Sequence, residues 1–152
     1  MKELLKYLRH YIKESILAPL FKMLEASFEL FVPLVMAAII DTGIKNSDKP
    51  YIFKMAMVLV GLAIVGFISA LTAQYFAAKA SVGFGKELRG DLYRHINTLS
   101  YSEIDKIGTS TLITRLTADV NQMQTAVNLF LRLFLRSPFI VIGAVVMAFT
   151  VD

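Results

Sequence analysis

The sequence predicts an all-α membrane protein: an amphipathic N-terminal helix, then three transmembrane helices, the second and third extended into the cytoplasm. Three observations lead there. Of 152 residues, 56% are hydrophobic and only 18% charged, where soluble domains carry about 25%; the mean hydropathy is +0.60. Met55–Ala78 runs 24 residues without a charge, beyond the roughly 18 that mark a membrane span. Two further apolar blocks flank that run. Ile16–Ile40 is interrupted by Lys22, Glu25 and Glu29, and Val120–Val151 by Arg132 and Arg136.

Each element follows from local pattern. Residues 1–17 space Leu4, Leu5, Leu8, Tyr11, Ile12 and Ile16 by three and four, with basic residues between them. That is an amphipathic helix lying on the inner leaflet. A first span is expected over 18–41, with Pro33 as a kink, and "DTGIKNSDKP" supplies the outer turn. From Tyr51 to Leu99 there is no proline. A helix of that length is about 70 Å long at ~1.5 Å per residue, more than twice the hydrocarbon thickness. Its first part, 51–79, is the second span. Its continuation to Leu99 is charged but keeps Val82, Leu88, Leu92, Ile96 and Leu99 at helical spacing. Gly83, Gly85 and Gly90 weaken a helix there, each by up to ~1 kcal/mol. One face carries Ala63, Gly66, Ala70, Ala73, Ala77 and Ala80 in steps of three and four, a row of small residues that lets another helix approach closely in lipid. After a polar connection over 100–113, a helix is expected from about Thr111 to Val151, with the third span over 130–151.

Charge sets the topology. Lys2, Lys6, Arg9 and Lys13 crowd the N-terminus, and Lys79, Lys86, Arg89, Arg94, Lys106 and Arg115 the central polar segment, against Lys45, Lys49 and Lys54 in the 41–54 connection. The positive-inside rule places the first two in the cytoplasm and the last outside. The net charge of +4 is thus a membrane signature, and no nucleic acid is expected. With no cysteine, disulfides and thiolate metal sites are excluded. "SVGFGKEL" invites comparison with a phosphate-binding loop, but Ala80 stands where the first glycine belongs and Glu87 where Ser or Thr belongs. His10 and His95 stand alone, so neither metal nor catalysis is expected of this chain.

The charges inside the spans can be ranked by depth. Counting inward from Asp41 and Asp152 puts Glu25 and Arg136 at equal depth, 16 residues in. Lys22 and Arg132 fall at the inner interface, where side chains snorkel. Glu25 is therefore expected to pair with Arg136, and Glu29 to face a polar cavity or another helix.

At "LRGDLYRHINTLSYSEIDKIGTSTLITRLTADV" (88–120) the chain resembles the first intracellular loop of ATP-binding-cassette (ABC) exporters. Leu88-Arg89, Leu92, Ile96 and Leu99 match the helix before the loop, and Leu112, Arg115, Leu116, Asp119 and Val120 the helix after it. Ser110-Thr111 replaces the usual glycine before the leucine, and Ala118 a frequent asparagine. "TSTLITRLT" resembles the heterodimeric bacterial multidrug-type subset. The resemblance covers the whole chain and implies an elbow helix over 1–17 and the N-terminal half of an exporter transmembrane domain over 18–152, as an N-terminal fragment of a multi-pass plasma-membrane protein. It implies ABC ATPase domains and a second transmembrane subunit, as homo- or heterodimer, as partners besides the bilayer, with ATP and Mg bound elsewhere in the full transporter and no cofactor here. Substrates would be drug-like or lipid-like amphiphiles, passing near Glu25, Glu29, Arg132 and Arg136. The coupling helix that rests on the ATPase would be about Ile107–Leu112. It offers Gly108, the Thr109, Ser110 and Thr111 hydroxyls and the apolar anchors Ile107 and Leu112, with Arg115 and Asp119 beyond it on one face, either as a local salt bridge or reaching another helix.

Two other classes compete. A signalling receptor would continue its membrane helix as heptads below the bilayer, whereas "YSEIDKIGTS" breaks the stalk and turns it back. A small structural membrane protein, complete at this length, would end in a polar tail rather than "FTVD".

Overall fold

The computed structural model describes residues 6–134 and 136–151, which are helical apart from the short connections between helices. Three helical stretches are long and apolar enough to cross a membrane: Lys6–Ile44, Lys49–Ile96 and Thr109–Val146. The all-α membrane architecture is therefore the one the sequence predicts.

Helix α1 (Ile12–Ala38) follows a 3-10 turn at Arg9–Tyr11 and runs on into a π-helical turn at Ile39–Ile44. It passes straight through Pro19 and Pro33. The boundary expected between residues 17 and 18 is not a break. Pro19 removes one N–H and with it one hydrogen bond to Ser15, but Ala18, which a following proline pushes away from the helical region, is held by packing at 1% exposure. The first five residues of the expected amphipathic helix lie outside the described residues.

Helix α2 (Lys49–Ile96) spans 48 residues, about 70 Å. Asp48 caps it by accepting the Tyr51 amide at 3.1 Å, and Pro50 sits in the first turn, where a missing N–H costs nothing. Two of the three glycines that made this helix look weak are contact points. The Tyr11 ring lies against Gly83 and the Gln124 side chain against Gly85, each where a Cβ would collide.

Below α2 come a short helix, α3 (Tyr101–Ile107), and then α4 (Thr109–Thr114). A π-helical segment at Arg115–Asp119 leads into α5 (Val120–Leu133), and α6 (Arg136–Val151) completes the third stretch. The helix expected from Thr111 to Val151 is thus one long helical stretch from Thr109, with a π-helical segment inside it. Further along, Pro138 has no N–H for the Phe134 carbonyl, while the Ser137 hydroxyl donates to the Leu133 carbonyl at 3.1 Å.

The core lies where α1, α2 and α5 meet. Ala18, Ala77, Ala80 and Leu131 are buried together, with Tyr11, Phe76 and Val127 packed around them. Phe21 stacks on Phe76 at 6.2 Å between centroids, and Tyr7 meets Phe84 edge-on at 6.1 Å. Polar ties cross the same interface: Asn128 Nδ2 donates to Ser81 Oγ at 3.2 Å, and Ser81 donates on to the Ala78 carbonyl at 3.0 Å.

Candidate functional site

The lower end of the molecule is a stalk closed by a small helical cap. Arg89 Nε, on α2, donates to the Leu116 carbonyl at 3.2 Å, and its guanidinium also bonds the Asn121 side chain. One cation therefore ties α2 to the π-helical segment at Leu116 and to α5 at Asn121. Ser100 starts α3 with a capping box. Its hydroxyl faces the Glu103 amide at 3.4 Å, and Glu103 Oε2 accepts the Ser100 N–H at 2.8 Å. The Ser100 amide, and then its hydroxyl, hold the Glu103 carboxyl below its ordinary pKa. At the other end Gly108, with φ +85°, forms a joint that L side chains rarely adopt.

This geometry moves the expected contact helix. Ile107–Leu112 is not one helix: Ile107 ends α3, Gly108 turns the chain, and Thr109 opens α4. The positive φ at Gly108 prevents helix continuation across it. Thr109, Ser110 and Thr111 are exposed and Ile107 is 42% exposed, but Leu112 is only 8% exposed and packs inside the chain rather than serving as an outward anchor. Tyr101, at 90% exposure, is the large side chain α3 presents. The S-x-x-E signature at Ser100–Glu103 marked that helix start in the sequence. Arg115 and Asp119 are both exposed and, among the described residues, form neither an ion pair with each other nor a hydrogen bond to another helix.

The intramembrane charges also differ from expectation. Arg136 pairs with Glu29, not Glu25: its Nη2 lies 2.9 and 2.8 Å from the two carboxylate oxygens. Glu25 is bonded by Lys22 at 2.6 Å, one turn away on the same helix, and both are buried. Lys22 therefore does not snorkel. Equal-depth counting assumed straight, parallel helices. The π-helical turn at Ile39–Ile44 shifts that register. Glu29 does face another helix. Arg136 Nε is buried without a hydrogen-bond partner, and Arg132 makes no ion pair among the described residues.

The row of small residues on α2 divides in two. Ala73, Ala77 and Ala80 are buried against α1 and α5. Ala63, Gly66 and Ala70 instead line a cavity of about 290 Å³ shared with Glu25, Phe28, Glu29 and Val32 of α1. Among the described residues no three His, Cys, Asp or Glu side chains gather as a metal site would require.

The pattern of the ABC transporter transmembrane region matches residues 15–152. The chain belongs to that family. Among curated proteins it is 32% identical, over its full length, to an uncharacterized ABC transporter ATP-binding protein of Bacillus subtilis (strain 168), covering 26% of that protein. It is 29% identical over 94% of its length to a similarly named protein of Mycobacterium bovis, of which it covers 25%. It is 25% identical over 96% of its length to a putative export ATP-binding/permease protein of Rickettsia felis, again covering 25%. The chain thus spans about a quarter of the curated relatives it matches. As part of an ABC transporter transmembrane region with three apolar helices, it belongs to a multi-pass membrane protein.

Proposed function

We propose that this chain forms part of the substrate pathway of an ATP-driven exporter and transmits ATPase motion into it through α3. The observation that carries the reading is the stalk. Two helices too long for a bilayer are tied by Arg89 and end in a separate, capped, exposed helix about 30 Å past Ala78, where the uncharged run of α2 stops. A helix of that kind, presenting Tyr101 and turned against α4 at Gly108, is a contact surface for a soluble domain. The Rickettsia felis relative is named a putative export ATP-binding/permease protein, which supports an ATPase domain as partner, with ATP and Mg held there. The N-terminus and stalk lie in the cytoplasm by the positive-inside rule, and a second transmembrane subunit completes the pathway. Amphiphilic substrates fit a route lined by the apolar cavity beside Glu25 and Glu29.

The chain has no cysteine, so a single substitution introduces the first thiol of this segment. Tyr101→Cys in the full transporter is expected to crosslink to the ATPase domain and to resist an impermeant thiol reagent added to intact cells, while Ser47→Cys is labelled. Labelling of position 101 from outside would overturn the topology. Absence of a crosslink from positions 101–109, with the topology intact, would overturn the coupling role.

A further inference from the structure

The cavities, charge clusters and exposed faces leave one place that transmission through the stalk does not use: the pocket between the N-terminal segment and α2. It measures about 460 Å³ and is lined by Tyr11, Tyr75, Lys79, Val82, Gly83 and Lys86, with Ala78 at its edge. We propose that this pocket binds the phosphate head group of an anionic phospholipid of the inner leaflet.

Depth supports a lipid. Lys79 is the first charge after the 24 uncharged residues of Met55–Ala78, so the pocket sits where hydrocarbon gives way to head groups. Tyrosine and lysine are the side chains suited to that level, with apolar bodies and polar tips. Tyr75 and Val82 are 63% and 55% exposed and form an apolar flank for the glycerol and upper acyl chain. A free phosphate would have no use for that flank.

Charge supports an anion. Lys79 Nζ bonds Glu14 Oε1 at 2.8 Å, which occupies one of its three donors. Lys86 lies two turns further along the same face, exposed and without an ion-pair partner among the described residues. Two lysines thus line the pocket, and only Lys79 is matched by a carboxylate. The Tyr11 ring is fixed against the Gly83 backbone, so its hydroxyl is positioned before any ligand arrives.

The test uses the whole chain in detergent, with retained lipid counted by native mass spectrometry. The probes are phosphatidylglycerol and phosphatidylcholine with identical acyl chains, and inorganic phosphate. Phosphatidylglycerol is expected to be retained over phosphatidylcholine. Lys86→Gln should lower its retention about fivefold, the weight of one lysine near an anionic surface, with phosphatidylcholine unchanged. Glu14→Gln frees Lys79 and should raise phosphatidylglycerol retention by a similar factor, which a purely structural ion pair would not do. Equal retention of the two lipids overturns the proposal. So does an unaltered Lys86→Gln variant whose helicity is intact, and so does displacement of phosphatidylglycerol by millimolar phosphate, which would make the ligand a free anion. None of these readouts involves the ATPase domain, so this site and the coupling role of α3 can fail separately.

Discussion

The outer and inner halves of α2 have different fates. Every buried residue of α2 falls between Ser69 and Gly85, and none between Lys49 and Ile68. In the inner half, alanine, serine and glycine bring α1 and α5 close enough to bury Ala73, Ala77 and Ala80. In the outer half Gly61 and Gly66 meet nothing within 4 Å, and Phe53, Val60, Ile64 and Phe67 are exposed. There α1 turns to α6 instead, through Leu30 against Gly143 and Glu29 with Arg136. Hydropathy therefore places a helix in lipid without saying what it touches. Between helices already surrounded by hydrocarbon, close backbone approach and polar ties decide the contact.

That contrast can be broken most sharply at paired positions. Ala77→Leu inserts a large side chain where the alanine is 0% exposed; overpacking should cost about 2–3 kcal/mol, read as a lower melting temperature in detergent. Gly66→Leu, where a Cβ meets open space, should stay within about 0.5 kcal/mol. Equal losses would show that the two halves are packed alike. Next in size, Ser100→Ala removes the cap of α3 and should raise amide exchange over 101–104 about fivefold, the ~1 kcal/mol usual for a lost serine cap. The Glu103 carboxyl is held below its ordinary pKa by Ser100, so its share of the cap is present above the ordinary carboxylate range. It is lost as pH falls through the lowered folded value. The difference between wild type and Ser100→Ala should therefore shrink in acid and hold steady near neutrality. The smallest effect is expected from the membrane ion pair. A double-mutant cycle on Glu29 and Arg136 should give a coupling of about 0.5–1 kcal/mol, since Glu29 is partly exposed. The same cycle on Glu25 and Arg136 should give none, and a coupling there would restore the pairing that depth counting suggested.

The long elements were legible because their signals are long. Twenty-four uncharged residues cannot be mistaken for a surface helix, and the proline-free stretch after Tyr51 is a single helix down to Ile96. Local detail was less legible, for identifiable reasons. Glu25 and Lys22 stand at a spacing that suits an intrahelical pair, yet ranking each charge by depth obscured it. The π-helical segments leave no mark in composition, and the one at Arg115–Asp119 lies inside a stretch that reads as ordinary helix. The Ser100–Glu103 signature was present but outweighed by the resemblance, which drew attention downstream to Ile107–Leu112. Gly83 and Gly85 looked like weak points because a single helix was considered. Their reason lies in Tyr11 and Gln124, which are distant in sequence.

The length of α2 has a mechanical corollary. Its packed region centres near Ala77, which leaves 28 residues on the outer side to Lys49 and 19 on the inner side to Ile96. At ~1.5 Å per residue these arms measure about 42 and 28 Å, a lever ratio near 1.5. A push of about 2 Å at the foot of such a rod, turning about Ala77, becomes about 3 Å at its outer end. The outer half, held at its tip by Ile52 and Tyr51 against Gly43, is then the long arm, and the alanine-rich contact is its fulcrum.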